Sequence, residues 1–185
     1  MSASGRHARD RRAFVPSPRA EATPITQGPR AAVRSPDPSE LVWLEEAREL
    51  LRGPQSDLTD VGWLGAQLDV LMGAWHACPT AERWNPTPTT TALGIAVGDA
   101  VIARVPGLEW VYVLEPGGSR FAIAHRESPL LEHPIEAVGA LWVDGSPGTL
   151  RSLVDQLVGH ALRVTATREE PDRLTGALRL LGLRR

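Results

Sequence analysis

No lysine occurs among the 185 residues, so all 20 strongly basic side chains are arginine. With abundant alanine, glycine and proline, that bias points to a GC-rich coding sequence of bacterial type. A single cysteine, Cys78, excludes an internal disulfide. No stretch approaches the about 20 apolar residues that a membrane-spanning helix needs. The first residues, MSASGRHARDRRAFVPSPRA, are charged and carry no apolar segment of the kind a secretory signal has. They are arginine-rich and poor in acids, as organelle transit peptides are, but their prolines spoil an amphipathic helix. A cytoplasmic location is the expectation. Phenylalanine (two) and tyrosine (one) are scarce beside six tryptophans. There is no phosphate-binding G-x4-G-K-S/T loop, no G-x-G-x2-G after a strand and no G-x-S-x-G elbow. Nucleotide binding and serine hydrolysis therefore draw no support.

What charge there is lies unevenly. Residues 1–38 hold seven arginines and three acids, residues 39–159 seven arginines and sixteen acids, and residues 160–185 six arginines and three acids. The body is acidic and both ends are basic. An acidic body repels phosphates, which argues against nucleic-acid binding by the folded part. The arginine-rich arm retains a weakly supported capacity for nucleic acid or membrane contact. Its prolines and its lack of large apolar anchors predict disorder over 1–38. A single domain is expected over 39–165, followed by a basic C-terminal segment at 166–185 with a short helix.

Apolar spacing predicts a helix over 39–52, capped by Ser39, with Trp43, Leu44, Ala47, Leu50 and Leu51 as a broad face. A second helix over 60–76 carries a single stripe of Val61, Leu64, Leu68, Leu71 and Trp75. A third over 91–104 is capped by Thr89 or Thr90. Alternation then predicts strands at 109–114 and 120–125 about a Pro116-Gly117-Gly118-Ser119 turn, and a third strand at 137–143. In the first strand Val111 and Val113 oppose Trp110, Tyr112 and Leu114. In the second, Phe121, Ile123 and His125 oppose Ala122 and Ala124. Ser146 and Pro147 read as the start of a fourth helix, and a last short helix is expected over 172–181. The expected fold class is α+β: three N-terminal helices, a three-stranded antiparallel sheet, then one or two C-terminal helices.

The run L-G-x3-G-D at Leu93, Gly94, Gly98 and Asp99, followed by Glu109-Trp110-Val111, resembles a bacterial family known only as a domain of unknown function. The Gly117-Gly118 turn and the later proline fit it as well. The resemblance covers about residues 57–160. It implies fold boundaries and carries over no catalytic residue, because the family has no assigned activity. The PGGS turn departs from the more acidic turn of that family, which removes support for a ligand role there.

Candidate chemistry is sparse. Gly94 and Gly98 share a helix face, where the absence of side chains means either close packing of another backbone or a groove for a ligand. Asp99 is an awkward residue inside a helix: it is either solvent-facing or paired with an arginine such as Arg104 or Arg120, or it serves as an acid, a ligand or a recognition carboxylate near Glu109. Glu127 and Glu132 flank a loop that is either polar with solvated charges, the favoured reading, or, if it folds back, a place for paired carboxylates to do acid–base work. His76 and Cys78, with His125 and His133, lack the spacing of zinc sites, and Cys78 fits no thiol-enzyme signature. No cofactor or metal is expected. Trp84, in a proline-rich connection, is either a lid on the core or an exposed contact. The balance favours a non-enzymatic module for a protein partner, with Trp84, Gly94, Gly98, Asp99, Glu109 or the first helix as contacts. The alternative is an enzyme with a pocket of Asp99, Glu109 and His125.

Overall fold

The computed structural model describes residues 32–116 and 118–180. In chain order the elements are β1 (Ala32–Arg34), α1 (Pro38–Glu49), α2 (Val61–Ala77), a 3-10 turn (Thr80–Glu82), α3 (Thr87–Ile102), β2 (Leu108–Glu115), β3 (Gly118–His125), β4 (Leu131–Glu132), α4 (Pro134–Asp144) and α5 (Leu150–Leu180). Among the described residues the architecture is α+β, with five helices and a four-stranded antiparallel sheet in the order β1-β2-β3-β4. The described residues fall in one compact unit.

The long hairpin β2–β3 is the centre of the sheet, in register from Leu108 opposite His125 to Glu115 opposite Gly118. Side chains alternate across a strand. Trp110, Tyr112, Phe121 and Ile123 thus face the helices, and Val111, Val113 and Ala122 form a separate small cluster on the other face with Ala124 and Leu131. Against the helix side lies α3, nine of whose residues are buried. Leu93, Ala96, Val97 and Val101 join Leu64, Leu68 and Met72 of α2, Val138 and Trp142 of α4, and Leu150 and Val154 of α5 in the main core. Each fully buried leucine or valine there contributes about 1.5–3 kcal/mol.

Four expectations are corrected. The segment expected as a third strand, 137–143, is helix α4. Pro134 sits in its first turn, Val138 and Trp142 are buried four residues apart, and Gly145 closes it with φ +74°. The uninterrupted apolar run Ala137–Val143 fits both periods, and the proline start and left-handed glycine stop decide for the helix. Two further strands instead flank the hairpin. β4 pairs Leu131 with Ala124 inside the expected loop. β1 pairs Ala32–Arg34 with Tyr112–Leu114, so the end of the arm expected to be disordered is ordered. Residues 1–31 lie outside the described residues. Finally, the backbone of α5 runs unbroken from Leu150 to Leu180 where two helices were expected, and it begins after Ser146 and Pro147; Leu181, the end of the expected last helix, lies outside the described residues.

The helix caps shift as well. Asp37, and not Ser39, caps α1: its carboxylate accepts from the Ser39 and Glu40 N–H groups at 2.9 and 3.0 Å, while Glu40 accepts from the Asp37 N–H at 2.8 Å. That reciprocal box satisfies three N-terminal donors. α3 begins at Thr87, earlier than Thr89 or Thr90 would place it, with the Asn85 side chain accepting from the Thr87 N–H at 3.0 Å.

Candidate binding surface

Helix α1 is laid on the core through one edge only. Leu44 and Ala47 are buried against Ile95 of α3 and Phe121 of β3. Four residues beyond Leu44 and on the same face, Arg48 reaches α3. Its Nε and Nη2 donate to the two carboxylate oxygens of Asp99 at 2.7 and 2.9 Å. Trp110 Nε1 donates to Asp99 Oδ1 at 2.8 Å. The Asp99 carboxylate thus joins α1, α3 and β2, and it pushes the Arg48 pKa further up. The partners suggested by spacing are engaged elsewhere: Arg104 lies 3.7 Å from Asp155, and Arg120 pairs with Glu115 and Glu136. Sequence reading missed Arg48. Its signal is positional, an arginine one turn beyond Leu44 and beside Ala47 on an otherwise apolar inner edge.

The two glycines of α3 face filled space. A Cβ at Gly94 would stand 2.5 Å from the Ile135 Cα, and one at Gly98 would stand 2.3 Å from the Trp110 ring. Close approach of α4 and of the indole is what these positions accommodate.

Glu109 lies on the opposite side of β2 from Trp110, so the sheet separates it from Asp99. Its carboxylate accepts from Arg126 at 2.7 Å, which holds it below the ordinary carboxylate range. His125 packs over Gly107, and its Nδ1 accepts the Glu127 N–H at 3.2 Å. Glu132 pairs with His160 of α5. His76 Nε2 is 2.7 Å from the Trp142 carbonyl oxygen, and Cys78 is half-buried at the end of α2. Among the described residues no three His, Cys, Asp or Glu side chains come together as a metal-holding group.

Leu41, Val42 and Trp43 of α1 and its C-cap Leu50 are exposed, Leu50 at 63%. Of the broad face expected for this helix, only Leu44 and Ala47 are buried within it. Trp43 stacks on Phe121 with centroids 5.0 Å apart and rings 4° from parallel, and its outer face is open. It divides two hollows. One, of about 500 Å3, lies toward Tyr112, Phe121 and Ile135. The other, of about 430 Å3, lies between Trp43, Ala47 and Leu50 on α1 and Asn85, Thr87 and Pro88 at the start of α3. Trp84, directly before Asn85, is 41% exposed while its carbonyl accepts from Trp75 Nε1 at 2.9 Å. The 430 Å3 hollow was not foreseen, because the proline-broken connection gives no periodicity to place it beside α1.

Residues 77–153 match the family described as Domain of unknown function (DUF3806). The match runs from the end of α2 into the first turn of α5. It includes Leu93, Gly94, Gly98, Asp99 and Trp110 and leaves out β1 and α1, hence Arg48. It is narrower than the 57–160 suggested by the motif. No curated protein and no solved structure matches the chain.

Proposed function

We propose that this chain is a non-enzymatic, cytoplasmic protein-binding module of bacterial type, and that its contact is the outer flank of α1 together with Trp84. The observation that carries the reading is the pair of exposed apolar residues Trp43 and Leu50, seven positions apart on one flank at the end of α1, lining a hollow that the start of α3 completes. Large exposed apolar side chains grouped on one face are a feature of contact surfaces. The state of the carboxylates supports the same reading. Asp99 is spent on Arg48 and Trp110, and Glu109 is held ionised by Arg126 on the other side of the sheet. A general acid needs a carboxyl whose pKa is raised, and Glu109 is shifted the opposite way.

The test is affinity capture of the tagged full chain and of its Leu50→Asp variant from nuclease-treated lysate of the native host, read by mass spectrometry. One stoichiometric partner retained by the parent protein and lost from Leu50→Asp is expected, with both proteins melting at the same temperature. Absence of any stoichiometric partner would overturn the reading.

A further inference from the structure

The hollow between α1 and the start of α3 has a charge signature of its own. α1 carries four glutamates, Glu40, Glu45, Glu46 and Glu49. Three are neutralised: Glu40 by the Arg34 fork at 2.6 and 2.7 Å, Glu45 by Arg48 and Arg52, and Glu49 by Arg52. Glu46 is exposed, forms no ion pair with a described residue, and lines the hollow between Trp43 and Leu50. The surface therefore offers an apolar trough with one anionic edge that no described residue neutralises, on a body with sixteen acids against seven arginines over residues 39–159.

We infer that this trough takes a short amphipathic helix of a partner protein, with aliphatic side chains on its inner face and an arginine or lysine at its border that pairs with Glu46. The inference rests on the binding-module reading and names the site and the partner chemistry. Aliphatic anchors fill the space between Trp43, Leu50 and Pro88, as helices laid in grooves do. The cation supplies register and orientation at the Glu46 edge, where like charge is rejected. The acidic body steers a basic segment toward the protein before contact.

The test uses two labelled peptides, one with leucines on one face and arginines at the border, the other with glutamates in place of the arginines. Fluorescence anisotropy with the full chain is expected to show the arginine peptide binding at least about tenfold more tightly. Glu46→Arg reverses that order. The same charge change at the exposed Asp144 on α4 leaves it in place, which separates a local contact from general attraction. Leu50→Asp abolishes binding of both peptides. Equal binding of the two peptides by the parent protein, or a preference that survives Glu46→Arg, overturns the inference. So does self-association of the full chain in sedimentation that Leu50→Asp removes, because the occupant is then a second copy. If a lysate partner depends on Leu50 while the peptides show no charge preference, the module stands and the basic-helix assignment falls. If neither is seen, both fall.

Discussion

Asp99 shows how one side chain can be out of place locally and correct globally. Aspartate weakens a helix interior by competing for backbone hydrogen bonds, yet here its two oxygens take N–H groups from Arg48 and Trp110. Arg48 is 20% exposed and Asp99 34%, so water screens the pair without replacing it. Asp99→Asn is expected to cost about 1–2 kcal/mol in urea unfolding, because a charge-assisted bond goes and Arg48 keeps only the exposed Glu45 as its anion. In an Arg48→Met background the same change costs less than half as much. Strict additivity in that cycle would show that the pair does not hold α1. Glu109→Gln, which breaks a solvent-facing pair with Arg126, changes stability by no more than about 0.5 kcal/mol.

At the scale of elements, the same residue type has opposite consequences on different helices. Gly94→Ala gains about 1 kcal/mol of helix propensity but drives a methyl into the Ile135 backbone, for a net loss of about 1–3 kcal/mol. Gly73→Ala on α2 meets nothing within 4 Å and is expected to raise the melting temperature, with a gain of about 0.5–1 kcal/mol. Thermal melts of the two variants check both signs. The start of α1 is sensitive to acid. Asp37 is held below its ordinary pKa by the Ser39 hydroxyl, and Glu40 by the Arg34 guanidinium. Depressed folded values mean that the ionised forms favour the folded state. Their contribution is complete above the unfolded values of about 4 and is lost as pH falls through the folded ones. Amide exchange at Ser39 and Glu40 should therefore accelerate below about pH 4 before the core amides respond; simultaneous loss would contradict this. These elements also divide by how readable they are. α2 and the β2–β3 hairpin announce themselves, through the stripe from Val61 to Trp75 and through alternation about a Pro-Gly turn. Ala137–Val143 is apolar throughout, so its pattern fits a strand as well as the helix α4 it forms, and β1 is hidden because three residues beside prolines carry no period. Trp84 and Asp99 drew attention by type and position. Arg48 did not, since its role depends on how α1 meets a helix far along the chain, and no local pattern encodes that.

Across the whole molecule, the residues matching the family supply α3, the hairpin and α4, while β1 and α1 are added at one side of them. Leu50→Asp, at the outer edge of that addition, is expected to change binding without changing the melting temperature, as a substitution at a 63% exposed residue should. The inner edge has a different consequence. Arg48 and Asp99 are 51 positions apart, whereas the hairpin pairs Glu115 with Gly118. Short loops close first, so β1 and α1 are expected to arrive late in folding and to leave early when the native state fluctuates. Each departure strips β1 from β2 and bares a strand edge next to Trp110, Tyr112 and Phe121, which is the kind of surface on which chains stack into aggregates. Shelf life in concentrated solution should thus follow how firmly Arg48 and Arg34 fasten this flap, more than how well the core is packed.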